Sequence, residues 1–161
     1  MSSKGLDPPC WIIDHQVAQL NQFIGRNKYA PADAVLRSFV PKRSDRPMLE
    51  ARAAAVWALG MIHDGSNVPD LAVELEERLN DTAGMPPEDP RVRYMCALTL
   101  GKMRARAALR SLAKYGPGRE WTSDVTSNAC IWAIAQINGE ALPPPPKALR
   151  PVPRDWFLVP N

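Results

Sequence analysis

Apolar positions follow the 3.6-residue helical period through most of the chain. Val68, Leu71, Ala72, Leu75 and Leu79 form one stripe, while Glu74, Glu76, Glu77 and Arg78 fill the opposite face. Ala105, Ala108, Leu109 and Leu112 repeat the stripe on a shorter segment. The stretch 51–62 is apolar almost all round and mostly small, which predicts an inner helix covered on more than one side. No stretch alternates with period two, so the predicted class is all-α. The 17 prolines respect this pattern. They sit between the periodic segments, as at Pro69 and Asp89-Pro90, where proline fits the first helical turn, or gather in the tail beyond residue 142.

Self-comparison finds the inner helix three times. The segments 51–62, 92–103 and 126–137 align without gaps. Trp57, Leu98 and Trp132 share one column, and Leu59, Leu100 and Ile134 another. Ala55, Cys96 and Cys130 are small where one helix would press its neighbour, and Gly60, Gly101 and Ala135 stand near the helix end. Arg52 and Arg93 share a column that Ser127 breaks. A helix pair of this length cannot bury its own faces, so the predicted architecture is a short α-solenoid, an α-α superhelix of stacked hairpins. The repeats are placed at 47–80, 89–115 and 123–139, within a helical-repeat domain spanning 1–142. Residues 10–39 read as two helices that do not align with the others and would cap one end. The tail 143–161 should be extended through Pro143–Pro146 and fold back over Trp132 and Ile137, because Trp156-Phe157-Leu158-Val159 is too apolar to leave in water.

The segment 92–103 preceded by Asp89-Pro90, and the segment 51–62 followed by Asp64 and Val68-Pro69-Asp70-Leu71, resemble HEAT-like repeats of the phycobilisome-lyase type. The resemblance covers about residues 48–139. It departs from the family pattern at Ser127, at the short turn after Met103 and in the third copy, which has no second helix. It implies stacked helix pairs with the second helices on a concave side. It also implies that Arg52 and Arg93 form buried bonds between repeats, while Trp57 and Trp132, aromatic at repeat spacing in the column of Leu98, read as core residues with a binding anchor as the alternative. Relatives of this type include subunits that attach or remove a bilin, so a lyase-like accessory role is one alternative.

Composition narrows the chemistry. Among 161 residues, 20 basic side chains face 17 acidic ones, too even a balance to mark a nucleic-acid binder by itself. No 18-residue apolar run predicts a membrane span, and residues 1–10 lack a signal-peptide layout, so the cytoplasm is the expected compartment. Cys10, Cys96 and Cys130 suit reduced thiols better than a disulfide framework. His15 and His63 are too few for a histidine-rich metal site, and no metal or cofactor is expected. No residue has the setting of a nucleophile.

Charge is segregated along the sequence. Residues 70–90 carry Asp70, Glu74, Glu76, Glu77, Asp81, Glu88 and Asp89 against Arg78 alone, whereas 91–119 carry only bases. Arg106, Arg110 and Lys114 fall on one helical stripe, and with Arg104 and Arg119 they are the candidate binding residues. The simplest expectation is that the acidic and basic helices pair across their interface, as Glu77 with Lys114. The sharper one is a site for an acidic protein segment or for phosphates, nucleic acid included. The reading reached is a non-catalytic scaffold that binds a protein partner through its second helices, with no membrane association.

Overall fold

Helices at 69–80, 90–102 and 125–138 begin where a proline or a side chain satisfies the first turn. The computed structural model describes residues 10–42, 48–118 and 120–142, so the expected capping tail 143–161 and Arg119 lie outside the described residues. Among the described residues seven α-helices follow in order: α1 Cys10–Arg26, α2 Asp33–Arg37, α3 Leu49–Ile62, α4 Pro69–Asn80, α5 Pro90–Lys102, α6 Leu109–Tyr115 and α7 Val125–Asn138. Single 3-10 turns at Ala30–Ala32 and Arg106–Ala108 lead into α2 and α6. Among the described residues there is no strand.

Proline occupies the first turn of α4 and of α5, and the Asp89 carboxylate accepts from Arg91 N at 2.9 Å. Asp124 caps α7 by accepting from Ser127 N at 2.6 Å. The start of α3 has no such local cap. Asp14, on α1, supplies it by accepting from Glu50 N at 3.2 Å and Ala51 N at 2.8 Å.

The helices form two layers of an α-α superhelix. First helices α1, α3, α5 and α7 stack in sequence, and α2, α4 and α6 lie against them as second helices. The inner layer requires short side chains at the crossings. A Cβ on Gly25 would lie 2.8 Å from Ala58 Cα, one on Gly60 2.7 Å from Thr99 Oγ1, and one on Gly101 2.7 Å from Ala133 Cα. Trp57 and Trp132 lie over the glycine of the preceding helix in the same way. These contacts explain why 51–62 is small all round: α3 is covered by α1 on one side and α5 on the other.

The glycine register also aligns the N-terminal pair, which the sequence left apart. Gly25 takes the column of Gly60 and Gly101, and the turns after α1 and α5 then coincide. Lys28 and Arg104 both have positive φ, 47° and 54°. Tyr29 N donates to Ile24 O just as Ala105 N donates to Leu100 O. Residues 10–37 are therefore a further helix pair with the same short turn as α5–α6, closed by the buried Leu36 and Leu112.

Replacing Gly101 with Leu should destabilise the fold by about 2–3 kcal/mol through overpacking against α7. Urea unfolding of the two proteins measures it, and Gly118→Ala, with nothing nearer than 3.8 Å to its added Cβ, should change stability by less than about 0.5 kcal/mol.

Candidate functional site

Two arginines tie successive helix pairs together. The Arg52 guanidinium donates to both Glu88 oxygens, at 2.8 and 2.7 Å, and also to Phe39 O and Val40 O at 3.1 Å. Arg52 is 4% exposed and the Glu88 side chain 1%, so the pair is wholly removed from water. It joins the end of the first helix pair, the start of α3 and the loop ahead of α5 at one point. A buried pair of this kind is held by geometry and complete hydrogen bonding more than by net Coulomb gain. Arg93, in the equivalent column, donates from Nε to Leu79 O at 2.9 Å and lies over the Tyr115 ring at 4.8 Å. Trp57 and Trp132 are half-buried and Leu98 is buried.

The acidic run of residues 70–90 meets cations outside α6. Asp70 binds Arg37 at 2.6 Å, and Asp81 binds Lys42 at 2.6 Å. Asp89 binds Arg91, while Arg78 lies within 3.8 Å of Glu77, Asp81 and Glu88. The hydrogen bond from Lys42 holds the Asp81 carboxyl below the usual carboxylate range.

The seam between α4 and α6 is polar but not ionic. Ser111 Oγ donates to Glu76, Asn80 Nδ2 donates to Ser111 Oγ at 3.2 Å, and Tyr115 OH donates to Asn80 Oδ1 at 3.2 Å. The expected Glu77–Lys114 pair is absent among the described residues. The register of the short α6 puts Ser111 and Tyr115 into the seam, which leaves Lys114 outside with its ammonium 5.0 Å from the Tyr115 ring centre.

Four of the five candidate binding residues fall among the described residues. Arg104, Arg106, Arg110 and Lys114 are exposed, and none forms an ion pair among the described residues. They do not make a single helical stripe. Arg106 belongs to the 3-10 turn, and Arg104 to the left-handed residue before it, so only Arg110 and Lys114 keep one-turn spacing on α6. The result is a patch along the turn and outer face of α6. The adjacent second helix, α4, exposes Val73 and Glu77, and α2 exposes Val35.

Cys96, Cys130, Asp124 and His63, residue types suited to covalent or acid–base chemistry, have structural surroundings. Burial pushes the Cys130 thiol up to about 12 and the Cys96 thiol higher still, which suppresses the reactive thiolate. Asp124 is engaged as a helix cap. His63 Nε2 lies 2.6 Å from Asp33, which in turn binds Arg37. The sequence singled out neither Glu88 nor Asp14, although each completes a junction between helix pairs.

Residues 51–81, which span most of α3 and all of α4, match the family model described as PBS lyase HEAT-like repeat. No curated protein and no solved structure matches the chain.

Arg52→Met should destabilise the protein by about 3–5 kcal/mol, because it strands the Glu88 carboxylate in the interior. The double substitution Arg52→Met with Glu88→Met should recover part of that loss in thermal or urea unfolding. The Asp81 carboxyl titrates lower in the folded chain than in the unfolded one. Its contribution is thus present above the unfolded value near about 4 and lost as pH falls through the folded value. The stability advantage over Asp81→Asn should accordingly shrink between about pH 5 and pH 2, as urea unfolding across that range would record.

Proposed function

We propose that this chain, a HEAT-like repeat protein, is a non-catalytic binding module whose second-helix side takes an acidic segment of a protein partner. The observation that carries the reading is the unbalanced charge on α6 and its leading turn. Arg104, Arg106, Arg110 and Lys114 are exposed with no carboxylate of the described residues engaged to them, while Asp70, Asp81, Glu88 and Asp89 are bonded to Arg37, Lys42, Arg52 and Arg91. Long cationic side chains held on a rigid helix pair attract anions at long range and settle them by charge-assisted hydrogen bonds. Exposed Val35 and Val73 supply apolar contact on the same second-helix side.

Phosphate is the other anion that such a patch accommodates, so nucleic acid is the second reading. A lyase-like accessory role draws its support from the family description, whereas the two buried thiols offer no support for covalent chemistry at those positions.

Fluorescence anisotropy with a labelled glutamate-rich peptide and with a short DNA duplex, at about 50 and 200 mM salt, separates these readings. The peptide should bind at low salt, and Arg106→Glu with Arg110→Glu should weaken it at least about tenfold without altering the melting curve. Tighter binding of the duplex would favour phosphate recognition. An absence of binding to either probe would refute the patch as an anion site.

A further inference from the structure

The aligned first helices turn one set of columns toward the helix that follows. Val56 O accepts from Thr99 Oγ1 at 2.8 Å and Gly60 packs on the same residue, so the columns of Val56 and Gly60 face forward. Their counterparts are Asn21 and Gly25 on α1, Ala97 and Gly101 on α5, and Ile131 and Ala135 on α7. Those of α1, α3 and α5 are buried beneath the next first helix. After α7 no helix follows among the described residues, yet Ile131 is 3% and Ala135 2% exposed.

The described chain accounts for only part of that burial. Gly116, at the end of α6, touches one edge of Ile131, since a Cβ on it would lie 3.1 Å from Ile131 Cγ1. Ala135 lies one helical turn further along. Beyond α7 the described residues are 139–142, and Gly139, Glu140 and Ala141 are themselves exposed. The side of α7 expected from the sequence to receive the tail is one that α5 already takes: Trp132 lies against Gly101, and Ile137 shares the face of Ala133.

A further repeat does not suit the forward face. In the column of Ala135, a Cβ added to Gly60 or Gly101 would already collide with the next first helix. A first helix stacked at that distance would strike the Ala135 methyl. The sequence that follows also bars a helix pair, because 143–160 contains seven prolines. An extended segment fits better, and Pro143–Pro146 can lie on an apolar surface without leaving a backbone donor unpaired.

We propose that residues 143–161 lie along the forward face of α7 and seal the array there, with Trp156-Phe157-Leu158-Val159 placed over Ile131 and Ala135. The 14 residues of α7 span about 21 Å, and the stretch 143–155 reaches about 40 Å when extended. The apolar run therefore reaches any point of the helix from its C-terminal end. With this face closed, no helix of a second copy stacks on α7.

Thiol labelling of the full chain tests the seal. In a Cys10→Ser background, Ala135→Cys puts a thiol on the covered face and Gln136→Cys puts one on the exposed neighbouring position, while Cys96 and Cys130 stay buried. Maleimide should modify the thiol at position 135 at least about tenfold more slowly than the one at 136. Trp156→Asp with Leu158→Asp should raise the rate at 135 at least about tenfold and leave the rate at 136 unchanged. Leu158→Ser alone should give a smaller rise with an unaltered circular dichroism spectrum, which separates uncovering from unfolding. A rate at 135 indifferent to both tail variants would overturn the proposal. So would protection that appears only as the concentration rises from about 1 to about 100 µM, because a second copy would then supply the cover.

Discussion

First helices in this fold approach one another almost backbone to backbone, and that closeness governs what surrounds them. At Gly25, Gly60 and Gly101 a methyl group would already collide with the following helix. Such contact demands small residues in the facing columns, which is why α3 is nearly uniform in alanine and why its hydrophobic pattern lacks a sharp stripe. Larger apolar side chains are displaced to the interface between layers, where Leu36, Leu75 and Leu112 are fully buried. Tight inner stacking and bulky interlayer packing are two consequences of one geometric demand.

Close stacking alone would leave helix ends and connecting loops without partners. Arg52 resolves this at one junction by bonding two backbone carbonyls and a carboxylate together, and Arg93 does so at the next with Leu79 O. Asp70, Asp81, Glu88 and Asp89 are paired with cations outside α6, Glu76 takes the Ser111 hydroxyl, and the cations of α6 form no ion pair among the described residues. Packing thus leaves Arg106, Arg110 and Lys114 exposed at α6, while the adjacent second helix, α4, still presents Glu77.

The three inner helices were legible because Trp57, Leu98 and Trp132, with the small columns beside them, repeat in plain register. Arg52 was legible as a column, but its partner was not. Glu88 belongs to an acidic run that reads as solvated surface, and only the loop path ahead of α5 buries it. The N-terminal pair hid for a related reason. It shares the glycine and the turn, yet its outward columns hold Leu20 and Phe23 in place of small residues, and α2 is five residues long. The Glu77–Lys114 expectation failed because charge counts along a sequence carry no information about helix register. That register placed Ser111 and Tyr115 in the seam.

Asp14 lends its carboxylate to the first turn of α3, so that helix does not own its beginning. An array whose members each supplied their own caps could fray from one end, losing a hairpin at a time. Here the loss of α1 would expose the amides that start its neighbour and loosen the residue next to Arg52. Opening at the N-terminal edge is thereby transmitted to the interior, which binds the helix pairs into a common cooperative unit.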